Sequence, residues 1–114
     1  MQAVESPSQQ IDLQTEVLSK FFRGLGDPTR VKIIEYLLDG EKSVGDLVTL
    51  LGLPQGRVST HLACLRWCGY VSSSKNGRNV YYRVDDERVR DILQLAKEMI
   101  LDNAQRIVSC SILR

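Results

Sequence analysis

Apolar residues recur every three to four positions in four segments of the chain. This spacing places the apolar side chains on one face of a helix, so it predicts four helices. They run from Ile11 to about Arg23, from Pro28 to Asp39, from Val44 to Leu51, and from Pro54 or Gln55 to Cys68. Asp27 and Ser43 stand where N-cap residues are expected, and Pro28 fits a first helical position.

The pattern then changes from helical to β. Two β-rich runs, Tyr70 to Lys75 and Arg78 to Val84, flank Asn76-Gly77. Asn-Gly between such runs predicts a β-hairpin with a type I′ turn, because both central positions of that turn need a positive φ. A last helix is predicted from Asp85 to about Val108, and its apolar residues cover more than one face. We expect the additional face to pack on the first helix and on a twin subunit.

The predicted order α-α-α-α-β-β-α describes a mainly α-helical domain (α+β) with one small β-hairpin. A short helix, a glycine-containing turn and a second helix form a helix-turn-helix, and the hairpin after it makes this a winged helix-turn-helix. We expect residues 1–10 to be a flexible tail and residues 11–114 to be one domain for DNA binding and dimerisation, since 114 residues are one domain's worth of chain. No apolar run approaches the roughly 18 residues that span a bilayer. The polar start is not a secretory signal, so the expected location is the cytoplasm by default.

The fourth helix is the candidate recognition helix, because the second helix of a helix-turn-helix enters the major groove. Its apolar residues Val58, Leu62 and Leu65 cluster on one side and are expected to face the core. The other side holds Ser59, Thr60, Ala63 and Trp67. The predicted DNA contacts are Gln55, Arg57, Ser59, Thr60 and His61 on this helix, with Lys75 and Arg78 at the hairpin tip. The alternative is a solvated surface helix that binds nothing.

The charge distribution indicates a polyanionic partner. From Leu47 to Val84 the chain has five basic and no acidic residues, whereas the remainder has ten basic and fourteen acidic residues. A basic segment between acidic flanks suits a face that binds double-stranded DNA. The density of the cations is ordinary, so the argument depends on the missing acids.

Two other classes of function are alternatives to DNA binding. An enzyme would have to use His61 and Cys64, for which no orienting third group is evident. Phosphate loops and paired carboxylates are also missing, so we predict that the protein is not an enzyme. A winged helix that serves only for protein contacts stays open. A salt titration distinguishes this alternative from DNA binding. Neutralisation of phosphates makes DNA affinity fall steeply with salt, and a module that binds only proteins has no DNA affinity to titrate.

Four motifs between Leu18 and Val89 resemble one known family when they are taken together. They are Leu25-Gly26-Asp27-Pro28-Thr29-Arg30, Leu51-Gly52-Leu53, Val58-Ser59-Thr60-His61-Leu62 with Leu65-Arg66, and Asn76-Gly77-Arg78-Asn79-Val80-Tyr81-Tyr82. They resemble the ArsR/SmtB winged-helix metal sensors. The resemblance implies a homodimer that represses a resistance or efflux operon and leaves its operator DNA when metal binds. Pro54-Gln55-Gly56 departs from the family pattern, in which a serine often caps the recognition helix, so the start of that helix is left open.

The cysteines are the candidate metal ligands. Three cysteines are an odd number, which makes a disulfide framework unexpected. Cys64 and Cys68 are four residues apart, which puts both sulfurs on one helical face. Ser43-Val44-Gly45 stands where some family members have a Cys-x-Cys pair, and the last helix has no histidine. The Ala63–Gly69 pattern and the late Cys110 are similar to the CmtR-type cadmium and lead sensors, in which the late cysteine comes from the partner subunit.

This similarity implies a three-cysteine site that binds a soft ion. Thiolates prefer soft, thiophilic ions. Three sulfurs suit Pb²⁺, As³⁺ or Hg²⁺, and Cd²⁺ would require a fourth ligand. A metal held between the recognition helix and Cys110 would change the placement of two recognition helices and so disfavour DNA. Cys110 could come from the same subunit or from its partner. The thiols could instead sense oxidation, or they could be inert core residues. A ligand role for His61 beside Cys64 is a further alternative.

Overall fold

The computed structural model describes residues 7–112, and the side chains of residues 12–112. Its elements, in chain order, are α1 (Pro7–Gly24), α2 (Pro28–Leu38), β1 (Lys42–Ser43), α3 (Val44–Leu51), α4 (Gln55–Trp67), β2 (Ser72–Asn76), β3 (Asn79–Arg83) and α5 (Glu87–Ser109). The mainly helical class and the order of the five helices and the hairpin are confirmed. None of the described helices is long and apolar enough to cross a membrane.

The predicted helix caps are present. The Asp27 carboxylate accepts hydrogen bonds from the backbone N–H groups of Thr29 and Arg30, at 2.8 and 3.2 Å. Ser43 and Asp46 form a reciprocal capping box at the start of α3. Because these side chains satisfy N–H groups that have no partner inside the helix, they fix where α2 and α3 begin.

The sheet contains one strand that the sequence analysis missed. Its order is β1-β3-β2, all antiparallel, and β1 pairs Lys42 with Tyr82 and Ser43 with Tyr81. A strand of two residues is too short for any alternation of apolar and polar positions to show. Its formation depends on the neighbouring β3, which no local pattern reveals.

The predicted type I′ turn over Asn76-Gly77 is wrong by one residue. Asn76 pairs with Asn79, so the two loop residues are Gly77 and Arg78. Gly77 has φ +65°, and no residue other than glycine has a positive φ in the described part of the chain. A positive φ at the first central position alone is typical of a type II′ turn, which places glycine there.

The start of α1 lies inside the predicted tail. The helix begins at Pro7, so residues 7–10 are helical rather than a tail. Proline suits a first turn because its missing N–H would have no acceptor there. Polar residues 8–10 lack the apolar spacing on which the prediction relied. The rest of the predicted tail, residues 1–6, lies outside the described residues.

The chain divides into two compact units, one ending at Val84 and one beginning at Asp85. In the first unit the buried apolar core comes from α2, α3, α4 and the segment before β2. Its residues are Ile33, Ile34, Leu37, Leu47, Val58, Leu62, Leu65, Tyr70 and Val71. The second unit contains α5, whose N-cap Asp86 accepts a hydrogen bond from the Arg88 N–H. One domain over residues 11–114 stays a prediction.

Candidate functional site

The helix-turn-helix consists of α3, a three-residue turn and α4. Gly52 ends α3 with φ +66°, in the left-handed region, and its N–H donates to the Val48 carbonyl. Glycine adopts this conformation without steric cost, so the chain can turn sharply before α4. The helix then begins at Gln55, after an N-cap Pro54 that supplies no side-chain hydrogen bond. This settles the start of the recognition helix, which the sequence had left open.

The two faces of α4 are as predicted. Val58, Leu62 and Leu65 are completely buried, which anchors the helix to the core. Ser59, Thr60, Ala63 and Trp67 are exposed. The Thr60 hydroxyl donates to the Gly56 carbonyl at 2.9 Å, so its proton is used within the helix and its oxygen lone pairs face outward as acceptors.

The first turn of α4 carries the exposed side chains of Gln55 and Arg57 and no acidic residue. Since Pro54 caps no N–H group with a side chain, the first-turn N–H groups keep their partial positive charge. The wing adds Lys75 and Arg78, both exposed. Cationic and amide donors therefore occupy both elements of the predicted DNA-binding surface.

A side-chain hydrogen bond joins the wing to the recognition helix. Arg66 of α4 donates to the Ser73 hydroxyl of β2 at 3.3 Å. Within the sheet, Arg83 donates to the Ser74 hydroxyl at 3.0 Å and lies 3.9 Å from a Glu41 carboxylate oxygen. These are exposed contacts of modest strength. The Arg66–Ser73 hydrogen bond joins β2 to the end of α4, and the Arg83 contacts act within the sheet and with the segment before β1.

His61, a predicted DNA contact, is half-buried and lies beside α2. Its Nδ1 is 3.4 Å from a terminal guanidinium nitrogen of Arg30. The same guanidinium donates to two carbonyls at the end of α1, those of Gly24 at 2.8 Å and Arg23 at 3.1 Å. Arg30 therefore links the end of α1 to the recognition helix.

Two of the three predicted metal ligands, Cys64 and Cys68, lie together at the end of α4. Both thiols are free and half-buried. Burial raises the pKa of the Cys68 thiol, and the neighbouring Cys64 raises it further through its charge and a hydrogen bond, whereas Arg30 acts in the opposite direction. The raised pKa favours the protonated Cys68 thiol, which lies beside Cys64, and both side chains are partly shielded from water.

One wall of the cysteine pair is formed by Gly24 and Tyr70. A Cβ atom on Gly24 would lie 3.6 Å from the Cys68 sulfur and 3.0 Å from Cε2 of Tyr70. The Tyr70 hydroxyl donates to the Phe21 carbonyl at 2.7 Å, and the two rings stack with centroids 4.6 Å apart. Burial raises the pKa of Tyr70 to about 12, helped by the two cysteines. Cys68 therefore lies next to the end of α1, at the position where Gly24 has no side chain.

The third predicted ligand, Cys110, belongs to the second unit. It is the C-cap residue of α5, half-buried, and its N–H donates to the Ile107 carbonyl. Among the residues that the structure describes, no group of three His, Cys, Asp or Glu side chains could hold a metal ion. The three-cysteine site therefore stays a prediction.

Sequence analysis missed the residues around the cysteine pair. In the sequence, Arg30 belongs to a family motif and Tyr70 begins a β-rich run, and neither these two residues nor Gly24 shows a pattern that connects it to the cysteines. A buried tyrosine after a helix and an arginine three residues after an N-cap give no local signal of their contacts. Their role arises from tertiary packing that joins residues as far apart as Phe21 and Tyr70.

Comparison with known proteins agrees with the fold and its motifs. Residues 27–73 match the family described as bacterial regulatory protein, arsR family. A probable mercury resistance operon repressor of Streptomyces lividans is 42% identical over 96 residues, which are 84% of this chain and 77% of that protein. The HTH-type transcriptional regulator CmtR of Mycobacterium tuberculosis is 38% identical over 90 residues, 79% of this chain and 76% of that protein.

A solved structure extends the agreement to most of the fold. The crystal structure of NolR from Sinorhizobium fredii matches with a TM-score of 0.73 and 30% identity, covering 87% of this chain and 96% of that chain. The relatives are named as regulators of transcription, which confirms the prediction that the protein is not an enzyme. The chain belongs to the ArsR family of bacterial regulatory proteins.

Proposed function

We propose that the protein is a homodimeric, metal-responsive repressor that acts in the cytoplasm. It binds double-stranded operator DNA through α4 and the wing, and it leaves the DNA when a soft thiophilic ion binds Cys64, Cys68 and Cys110. The observation that carries this proposal is the position of the cysteine pair. Both thiols lie on the helix that presents Ser59 and Thr60 to solvent, so one helix serves the metal and the DNA.

The DNA-binding half of the proposal is supported by exposure and charge. The proposed contacts Gln55, Arg57, Ser59, Thr60, Lys75 and Arg78 are exposed, and His61 is half-buried beside them. Gln and Arg can pair with adenine and guanine edges in the major groove, and the cations of the wing can bind phosphates. No acidic side chain between Leu47 and Val84 opposes this contact.

The dimer is supported by apolar surface on the terminal helices. In α1, large apolar side chains such as Val17 and Phe22 are more than half exposed. In α5, Leu95, Met99 and Leu101 are also mostly exposed. Such helices have apolar faces to bury, and a second copy of the chain is the partner that the family relationship favours. A dimer also presents two recognition helices to two half-sites.

The metal-binding half is supported by the chemistry of the donors. Two free thiols on one helical face fit a soft ion such as Cd²⁺ or Pb²⁺, and also As³⁺ or Hg²⁺. The Streptomyces relative is named for mercury resistance. Cys110, from the same subunit or its partner, supplies the third sulfur. When bound, the ion replaces the thiol protons and ties the end of α4 to the segment after α5.

The decisive experiment compares the wild type with a variant in which all three cysteines are changed to serine. Reduced protein is titrated with Cd²⁺, Pb²⁺, Hg²⁺, arsenite and, as a borderline ion, Zn²⁺, while thiolate charge-transfer absorption is recorded. Operator affinity is then measured with and without each ion. We expect the variant to bind DNA normally and to lose both the absorption and the release. Release of DNA from the variant by Cd²⁺ or Pb²⁺ would show that the site is wrong.

A redox sensor with the same thiols is the second candidate. The closeness of Cys64 and Cys68 favours it, because peroxide can oxidise one thiol to a sulfenic acid, which then condenses with the neighbouring thiol to a disulfide and releases water. The raised pKa of Cys68 opposes it, since the thiolate is the species that oxidants attack. Treatment of metal-free protein with peroxide separates the two. A redox sensor expects a cysteine-linked mass change together with release of DNA, whereas the metal proposal expects the operator affinity to stay unchanged under the same peroxide treatment.

A further inference from the structure

Arg30 holds three acceptors that belong to two different helices. Its Nε donates to the Gly24 carbonyl at 2.8 Å, and one terminal nitrogen donates to the Arg23 carbonyl at 3.1 Å. The other terminal nitrogen lies 3.4 Å from Nδ1 of His61 in α4. The backbone of Arg30 is fixed as well, because its N–H donates to the Asp27 carboxylate. The guanidinium is therefore held by a rigid support between α1 and α4.

Gly24 connects this arrangement to the cysteine pair. It is buried, and the space where a side chain would stand is taken by the Tyr70 ring and the Cys68 sulfur. The Cys68 sulfur would be 3.6 Å from a Cβ built on Gly24, so it borders the space that the missing side chain would fill. Cys68 is therefore a neighbour of Gly24, and Gly24, Arg30 and His61 continue from it as a chain of contacts that returns to α4.

We propose that Arg30 is a positioning residue that couples the cysteine pair to the recognition helix through Gly24 and His61. This inference rests on the proposed function, which places metal at Cys68 and DNA at α4. When Cys68 becomes a ligand, the position of its side chain beside Gly24 is set by the ion. We expect a shift there to move the end of α1, and Arg30, which holds the Gly24 carbonyl, to transmit the shift to His61, one residue from Thr60.

The planar fork of arginine is what this role requires. One guanidinium reaches acceptors in several directions at once, whereas a lysine ammonium is a point charge on a flexible stem. Lys32, two residues further along α2, offers a contrast. Its ammonium lies over the Tyr36 ring, 5.2 Å from the centroid, within α2 itself. Removal of this cation changes the charge of α2 without touching the chain of contacts.

The test measures the ratio of operator dissociation constants with and without Cd²⁺ for the wild type and for the variants Arg30→Lys, Arg30→Gln and Lys32→Gln. Allosteric ratios of about 5 to 150 are usual. We expect both Arg30 variants to reduce the wild-type ratio at least about fivefold, while Cd²⁺-thiolate absorption and metal-free DNA affinity are retained. Lys32→Gln should keep the wild-type ratio.

The outcomes separate this inference from the proposed function. If Cd²⁺ does not release the wild type, the proposed function fails. If Cd²⁺ changes the operator dissociation constant equally in the wild type and in Arg30→Lys, a positive charge at this position is sufficient for coupling. The positioning role of the guanidinium is then overturned. An equal loss in Lys32→Gln overturns it too. Should an Arg30 variant unfold in near-ultraviolet circular dichroism, the imidazole ¹⁵N resonances of His61, the one histidine of the sequence, give a second readout in the wild type. We expect them to shift when Cd²⁺ binds, and unchanged resonances in a protein that Cd²⁺ releases from DNA would overturn the proposal.

Discussion

The central helices and the terminal helices of this protein use their apolar residues in opposite ways. In α2, α3 and α4, residues such as Ile34, Leu47 and Leu62 are completely buried. In α1 and, separately, in α5, large apolar residues stand mostly in solvent. They include Leu13, Val17, Leu18 and Phe22 in α1, and Leu95, Met99, Leu101 and Val108 in α5. The apolar residues of the central helices are buried within a single chain, and those named in the terminal helices are not.

This difference indicates how stability and assembly are divided. Full burial of such an apolar side chain contributes about 1.5–3 kcal/mol to the free energy of folding. Burial in α2, α3 and α4 can therefore hold α4, the recognition helix, in place. The exposed residues of α1 and α5 contribute nothing comparable until something covers them. We therefore expect core substitutions to act on folding, and terminal-helix substitutions to act on association.

The largest effect is expected from Leu47→Ala. Leu47 is 0% exposed, so its truncation removes apolar contacts and leaves a cavity, at a cost of about 2–5 kcal/mol in the free energy of unfolding. Leu101→Ala is the matched change at a residue that is 83% exposed. Its cost should stay below about 1 kcal/mol and be seen only at concentrations where the wild type is dimeric. Urea unfolding at two protein concentrations measures the change in unfolding free energy for both variants. Similar losses in the two variants would contradict the proposed difference between the central and the terminal helices.

The next effect concerns association. Val17 is 61% exposed in α1, so Val17→Asp should leave the folded monomer intact. In a dimer that covers α1, the carboxylate would be desolvated without a partner, so we expect the dimer dissociation constant to rise about 100-fold. Sedimentation velocity across a dilution series measures this change, and Gln14→Asp supplies a control that introduces the same charge at a polar position. An unchanged dimer would show that α1 lies outside the interface.

A smaller effect is expected where α1 joins the core. Tyr70→Phe removes the hydroxyl that donates to the Phe21 carbonyl and keeps the stacked rings. The loss of one such hydrogen bond costs about 1 kcal/mol. Gly24→Ala perturbs the same contact by inserting a methyl group 3.0 Å from the Tyr70 ring, and overpacking of this kind costs about 1–3 kcal/mol. If Gly24→Ala is more stable than the wild type in urea unfolding, the Tyr70 ring does not restrict the space beside Gly24.

The features that could be predicted from the sequence depend on local rules. The two faces of α4 follow from helical spacing, since Val58 and Leu62 must share a side. Asp27 and Ser43 were identifiable as caps because capping acts over two or three residues. The pairing of Cys64 and Cys68 follows in the same way from one helical turn.

The features that could not be predicted depend on residues far apart in the chain. The β1 strand exists because Ser43 meets Tyr81, and the contact between Arg30 and His61 joins α2 to α4. The hairpin turn was misplaced by one residue because Asn-Gly and Gly-Arg are both acceptable turn pairs, and the register of the strands decides between them. A family motif indicated that Arg30 matters and not what it contacts.

The smallest effect lies at the junction between α1 and α2, where Asp27 caps the helix that carries Arg30. Burial raises the pKa of the Asp27 carboxyl, but hydrogen bonds from the N–H groups of Arg30 and Thr29 lower it more, so the pKa is below its usual range. A group with a lowered folded pKa adds stability above its unfolded pKa of about 3.9, and this stability is lost as the pH falls through the folded value.

Two substitutions at Asp27 separate its charge from its capping. Asp27→Ala should lower the free energy of unfolding by about 1 kcal/mol at pH 7. Asp27→Asn retains a capping oxygen and should cost less, while the loss of stability between about pH 5 and pH 3 becomes shallower than in the wild type. Thermal unfolding across that range measures the slope. If Asp27→Asn loses stability as steeply as the wild type on acidification, other carboxylates cause that loss. The Asp27 cap would then stabilise α2 through its hydrogen bonds rather than its charge.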